Sequence, residues 1–273
     1  MLKQRLITAF TLGPLLLWAF VVLSDPYFAG LLALIMILGA KEWVVMARLP
    51  ASMMLPYMVI VSLLIYGCWW LAENNENYTN LILYISCAWW LAGFIILYIY
   101  NSGHKNILSD RVLRSILGLV ILLPPFTSIY ILRKSYGIDM LFCLLFLIWF
   151  ADSGAYFSGK RFGKNKLLPN VSPGKTWEGV AGAFVMSIIF SIVFAYYSDT
   201  VSDNNYLVFV LISFITVIFS IEGDLMESMF KRQVNIKDSS NILPGHGGIL
   251  DRIDSLTSAT PIFVTCLLLS GIE

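Results

Sequence analysis

The sequence predicts an all-α, polytopic integral membrane protein of about nine transmembrane helices, with the N-terminus cytoplasmic and the C-terminus outside. Three observations carry that expectation. Hydrophobic residues make up 58% of the 273 residues and charged residues only 13%, against roughly 25% charged in soluble domains. Apolar runs of about the 20 residues that a helix needs to cross hydrocarbon recur along the chain. Lys and Arg gather in alternate connecting segments, as they do on the cytoplasmic side of a membrane. No window is polar and long enough to build a soluble domain, so residues 1–273 read as a single membrane domain. The net charge of +1 gives no basic excess of the kind that marks a nucleic-acid binder, and any anionic partner must be met by local charge.

The chain opens on "MLKQRLITAFTLGPLLLWAFVVLSDP", which has a basic start and an apolar centre but no A-x-A-like cleavage site. It reads as a retained first span rather than a signal peptide. The nine apolar segments run approximately 6–23, 27–46, 53–72, 80–100, 112–132, 139–158, 176–197, 206–228 and 250–270. With the N-terminus inside, the cytoplasmic segments and adjoining helix ends collect the bases from Lys3 and Arg5 to Arg252, and only Arg133 and Lys134 fall outside. The opposite loops, "ENNENY" and "SDTVSDNN", carry acids and amides but no base. No internal repeat is visible. Cys68, Cys87, Cys143 and Cys266 each lie in an apolar run, without metal-clip or CxxC spacing, and read as small buried hydrophobes. Residues 1–135 carry little motif content, whereas 139–273 hold the acids and the long polar loops.

Those loops are "SGKRFGKNKLLPNVSPGKT" and "ESMFKRQVNIKDSSNILPGHGG", which together hold eight of the eighteen bases. Their Gly, Pro and Ser content predicts irregular backbone rather than helix. Retention of positive charge on the inside explains the lysines, but not the glycines, prolines and acids interleaved with them.

A carboxylate at the bilayer centre costs about 2.5–3.5 kcal/mol on insertion scales. Yet Asp152, Glu222, Asp224, Glu227, Asp251 and Asp254 all lie near the cytoplasmic ends of the late spans. They must face a polar cavity, a cation, or both. Asp251 and Asp254 share a helix face while Arg252 projects to the side. Asp224, Ser228 and Lys231 form a stripe at i, i+4 and i+7. Carboxylates of this kind suit a hard divalent cation such as Mg²⁺, which takes oxygen ligands and substrate phosphates. No His/Cys cluster favours zinc, since His104 and His246 occupy separate loops. An ion-paired role at a helix entrance, favoured by the helix dipole, is the alternative for Asp251 and Asp254. Glu42, in "AKEWVVMA", is expected to pair locally with Lys41 or Arg48 and is left outside the site.

"PGHGG" places three glycines around His246 just before a helix N-terminus, where close backbone approach and free N–H groups favour phosphate. These glycines could equally form a turn, and His246 could bond a phosphate or a base or cap that turn. "SPGKTWEG" ends like a Walker A motif, but GxxxxGK[ST] needs glycine where this chain has Pro169. The P-loop is rejected. What remains is Lys175 and Thr176 at the start of the seventh span, where a lysine and N–H groups can hold a phosphate chain. Acids in pairs, a lysine stripe and glycine turns at one membrane face make a site for metal-bound polyphosphate beside lipid.

These residues carry a resemblance. "SMFKRQVNIKDSSNILPGHGGILDRID", residues 228–254, resembles the signature of the phosphatidate cytidylyltransferases, the CDP-diacylglycerol synthases of phospholipid synthesis. It matches the pattern S-x-x-K-R, four residues, K-D, then P-x-H-G-G-x-x-D-R-x-D at every specified position. "ADSGAYFSGKRFGKNKL" and "VSPGKTWEG" look like the family's upstream motifs, so the likeness runs from about residue 145 to the C-terminus. The first five spans match only in hydropathy and basic start. Glu222 departs from the pattern, an acid where an apolar or small residue is expected.

The resemblance implies the conversion of CTP and phosphatidate to CDP-diacylglycerol and pyrophosphate, dependent on Mg²⁺, by an all-helical membrane enzyme that forms a homodimer and works on the cytoplasmic side. In a bacterium that is the cytoplasmic (inner) membrane. On this reading Asp224 and Asp251, with Ser228 nearby, hold the metal, and a second cation such as K⁺ could share the carboxylates. Lys175, Lys231 and Arg252 stabilise the transferred phosphoryl group and departing pyrophosphate, while Asp152 and Asp254 orient ligands. Lys160 and Arg161 are candidates for the lipid phosphate. Ser172, Thr176, Arg232, Lys237, Asp238, His246, Gly247 and Gly248 complete the expected substrate-binding set. A cation- or proton-coupled transporter is the alternative from another class, but such folds often carry repeats and midplane sites. A CDP-alcohol phosphotransferase would show a D-G-x-x-A-R segment, which this chain lacks.

Overall fold

The computed structural model describes residues 2–243, 245 and 247–272, with the side chains of residues 2–10 and of Asp203 left aside. Its helices are α1 (Leu2–Val22), α2 (Asp25–Met46), α3 (Met54–Asn74), α4 (Glu76–Asn101), α5 (Arg111–Phe162), α6 (Trp177–Tyr197), α7 (Tyr206–Gln233) and α8 (Leu250–Ser270). Between α5 and α6 lie two short strands, β1 (Lys166–Leu168) and β2 (Ser172–Thr176). Among the described residues, seven helices are long and apolar enough to cross a membrane. Their outward faces carry exposed Leu63, Leu91, Ile95, Ile189 and Leu207. Such faces suit hydrocarbon, and helices satisfy their own backbone there. The chain is an integral membrane protein.

The expected spans 112–132 and 139–158 are the two arms of α5. An unbroken helix of its 52 residues would run about 78 Å. Both of its ends nevertheless reach α7: Arg114 Nη2 donates to Gln233 Oε1 at 2.5 Å, and Asp152 lines the same cavity as Asp224. The reversal falls at Gly137, whose φ of 85° and ψ of 171° leave the helical region in a way open to glycine. The bases just before it mark that end of the bundle. Arg133 pairs with Asp25 at 3.3 Å, and Lys134 with Glu73 at 2.7 Å.

The opposite end is stitched by a buried polar network. The fully buried Arg114 guanidinium donates to Met46 O at 2.9 Å and Leu108 O at 2.7 Å as well as to Gln233. Gln233 Nε2 in turn donates to Lys105 O and Ile107 O, and Arg48 donates to Gln233 O. Trp43 Nε1 donates to Arg114 O at 2.9 Å. Thus α2, the α4–α5 connection and the last turn of α7 are tied together beside the site.

The first long polar segment corrects an expectation of irregular backbone. Ser158–Phe162 continues α5, and the remainder folds into an antiparallel ribbon pairing Lys166 with Thr176 and Leu168 with Ser172. Asn170 at its tip donates to Asn101 O at 2.7 Å, fastening the ribbon to the end of α4. Local composition signalled breakers; it could not show that two short segments would find one another. In the second segment the helix likewise persists to Gln233 before the chain turns irregular.

Candidate active site

A cavity of about 550 Å³ opens between the second arm of α5, the end of β2, and helices α6, α7 and α8. Every wall but α6 contributes ionisable groups. Asp152 and Lys160 come from α5, Lys175 from β2, Asp224 from α7, and Asp251 and Asp254 from α8. Local structure aims them. Thr176 caps α6 by accepting from Gly179 N at 3.2 Å, and Ser158 Oγ donates to Glu178 O at 2.6 Å, which fixes α5 against the start of α6. The three-residue spacing of Asp251 and Asp254 puts both carboxylates toward the cavity.

Two cations of the site, Lys175 and Lys231, are held by carboxylates. Lys175 Nζ stands 2.7 Å from Asp224 Oδ2 and donates to Ile221 O at 3.3 Å. Ser228 Oγ donates to Asp224 Oδ1 at 3.4 Å. About two turns beyond Asp224 toward the helix end, Lys231 Nζ donates to Asp251 Oδ1 at 2.6 Å. Glu227 stands 3.1 Å from the same ammonium, an ion pair by distance without the alignment of a hydrogen bond. A low-dielectric site strengthens such pairs, and it also makes an unpartnered charge costly.

The approach to α8 corrects two expectations. Its first N–H groups do not stand free for phosphate. Ile249 N and Leu250 N donate to Glu42 at 2.9 and 2.8 Å, and Gly248 N donates to Asp251 Oδ2 at 2.8 Å. Glu42 itself is 2% exposed and makes no ion pair with Lys41 or Arg48 among the described residues. The carboxylate turns inward because the segment arriving from α7 offers it hydrogen-bond donors.

Of the expected site residues, Asp152, Lys160, Lys175, Thr176, Asp224, Asp251 and Asp254 meet at the cavity. Ser228, Lys231 and Gly248 reach it by bonding Asp224 or Asp251. Ser172 opens β2, Gly247 bridges to Leu243, and Arg161, Arg232, Lys237, Asp238 and Arg252 are exposed; none of these seven lines the cavity. His246 lies outside the described residues. Glu222, the departure from the family pattern, is fully buried on the α4 side of α7, where Gly93 leaves it room; it does not line the cavity. Two contributors lie outside the expected set. The i, i+4 spacing of Glu227 and Lys231 could have found the first. Nothing local could have found Glu42.

No three His, Cys, Asp or Glu side chains gather as a metal cluster among the described residues. The donor set still fits Mg²⁺, which usually takes one or two carboxylates and completes its shell with waters and substrate phosphates. Asp224 and Asp251 are the carboxylates that border the cavity with a cation beside each.

Residues 3–270 match the model of a family described as the cytidylyltransferase family. A Haemophilus influenzae protein named phosphatidate cytidylyltransferase is 37% identical over 280 residues, covering 96% of this chain and 97% of that protein. A Pseudomonas aeruginosa protein of the same name is 40% identical over 274 residues, covering 99% and 98%. A Bacillus subtilis protein, again so named, is 45% identical over 134 residues, 49% of each chain.

Proposed function

The chain belongs to the cytidylyltransferase family, and on that premise we propose that it transfers CMP from CTP to phosphatidate, giving CDP-diacylglycerol and pyrophosphate for phospholipid synthesis. The observation that carries this reading is the cavity where paired carboxylates and lysines stand beside apolar helix faces. A polyanion can be held there while acyl chains stay in lipid.

The phosphate monoester of phosphatidate is already nucleophilic near neutral pH, since such groups have a second pKa of about 6. One of its oxygens attacks the α-phosphorus of CTP, the bond from that phosphorus to the bridging oxygen of the β-phosphate breaks, and pyrophosphate leaves with the bond pair. No strong base is needed, so positioning and charge neutralisation supply most of the rate. Lys175 neutralises the triphosphate, exchanging Asp224 for a phosphate oxygen as its partner. Lys231 keeps Asp251 oriented and adds positive potential at the reacting phosphates. Asp152 and Asp254 orient ligands across the cavity, and Lys160 at its rim meets the lipid phosphate. Asp224 and Asp251 would hold Mg²⁺, which when bound supplies Lewis-acid neutralisation of the phosphate oxygens; a second cation such as K⁺ would share them.

The same reading has nine crossings, the N-terminus and the cavity facing the cytoplasm, the C-terminus outside, and a homodimer in the bacterial inner membrane. The bases at the cavity end support that orientation. Transport has no support from the relatives, which carry a transferase name. The deciding assay gives purified protein in detergent labelled CTP, phosphatidate and Mg²⁺. CDP-diacylglycerol should accumulate with equimolar pyrophosphate, and its absence with all three present would refute the assignment.

A further inference from the structure

Glu42 is a carboxylate whose capacity is used up. Its Oε1 accepts from Ser240 Oγ at 2.6 Å and Ile249 N at 2.9 Å. Its Oε2 accepts from Ser239 Oγ and Leu250 N, both at 2.8 Å. An ionised carboxylate has about four lone-pair sites; three of the four donors come from the segment that joins α7 to α8, and the fourth is the first residue of α8. With no base paired to it among the described residues, its charge rests on charge-assisted hydrogen bonds and on the positive end of α8. Nothing is left over with which to touch a substrate or a cation.

Ser239 links this carboxylate to the site. Its hydroxyl reaches Glu42 at 2.8 Å and Asp251 Oδ2 at 3.1 Å, and its backbone N donates to Asp251 Oδ2 at 2.9 Å. With one proton to give, the hydroxyl favours the nearer Glu42, while the two backbone donors, Ser239 N and Gly248 N, occupy Asp251 Oδ2. That leaves Oδ1, on Lys231, as the oxygen with capacity to spare. Gly248 makes the arrangement sterically possible, since a Cβ there would lie 2.6 Å from both Glu42 oxygens. These glycine and serine positions therefore serve the approach of a protein carboxylate.

We infer that Glu42, from the motif-poor half of the chain, is a positioning residue for the transfer reaction: through Ser239 and the first turn of α8 it sets which oxygen Asp251 presents to the cavity. The inference rests on the function proposed above for its kinetic consequence, but not for its structural one.

The test uses full-length protein in detergent, with turnover normalised to the monodisperse fraction and amide exchange followed across residues 239–250. Glu42→Gln keeps the size but offers an NH₂ where two donors point. It should lower kcat by about tenfold to a hundredfold, as changes behind ligating groups do, with KM for CTP changed less than about threefold, and should speed exchange at 239–250 but not at 206–220. Glu42→Gln and Ser239→Ala together should lose less than the product of their separate losses, because they act through one network. Unchanged exchange, kcat within threefold of the parent, or a purely multiplicative double variant overturns the inference. Should Glu42→Gln not be recovered folded, Ser240→Ala removes a single donor and decides the matter, with severalfold lower kcat and faster exchange expected and parental values of either overturning it. A parent without transferase activity would refute the proposed function, while the exchange comparison would still decide whether Glu42 holds the segment.

Discussion

Arg114 and Lys175 are both bases at the same end of the bundle, yet they live under opposite rules. Arg114 is fully buried and spends its donors on the carbonyls of Met46 and Leu108 and the amide of Gln233. Lys175 borders a cavity with, among the described residues, one carboxylate, Asp224, paired to it. The difference extends to the regions around them. The network on the α2 and early α5 side is closed, each polar group answered by another within the protein. On the late α5 to α8 side the pairs are open, and an incoming ion can exchange with either member. A closed network fixes geometry and an open one does chemistry, so mutations in the two should fail differently.

The largest separation is expected at Asp251. Asp251→Asn should lower kcat of the folded fraction by about a hundredfold to a thousandfold, in the range set by removing a central electrostatic group, well beyond the loss of stability from taking a buried partner from Lys231; near-parental turnover would move Asp251 into the closed class. Next comes Lys175→Ala, for which a rise in KM for CTP and a fall in kcat/KM of about a hundredfold are expected from losing a charge-assisted contact of about 1.5–3 kcal/mol. Unchanged kinetics would reduce Lys175 to a topogenic charge. Arg114→Met should do the reverse. It strands Gln233 and two carbonyls at a cost of about 3 kcal/mol, lowering Tm by roughly 5–10 °C, while KM for CTP in the folded fraction stays within about threefold. The smallest effect belongs to Arg161→Ala, exposed and away from the cavity lining; kcat/KM should remain within about threefold, and a larger loss would extend the open region beyond the cavity.

The same contrast explains what could be read from the chain. Helices were legible because twenty apolar residues have few other fates in lipid. Asp224, Asp251 and Asp254 were legible because helical spacing is local, so i+3 and i+4 relations survive without knowledge of the fold. Lys175 stood out by its place at a helix start. Glu42 could not be found that way: its partners lie 197 to 208 residues away, and its own neighbours Lys41 and Arg48 offered a simpler pairing. The ribbon of β1 and β2 stayed hidden behind Gly and Pro, which mark an interruption but not what two extended segments do afterwards. The break at Gly137, by contrast, was legible: the polar, glycine-containing "SYGID" separates two apolar runs, and the chain reverses there between the two expected spans.

The distance between Glu42 and its partners also has a meaning in time. A chain emerging at about 5–20 residues per second delivers Ser239 roughly 10–40 s after Glu42, by the 197 residues between them. Throughout that interval α2 holds an unanswered carboxylate. It stands four positions before the last residue of the helix, Met46, about 6 Å along the axis, shallow enough for water to solvate it until the late spans arrive. Assembly of the two halves then extinguishes a temporary hydration site, and a nascent chain halted before Ser239 should keep Glu42 open to aqueous carboxyl-directed reagents that the finished protein excludes.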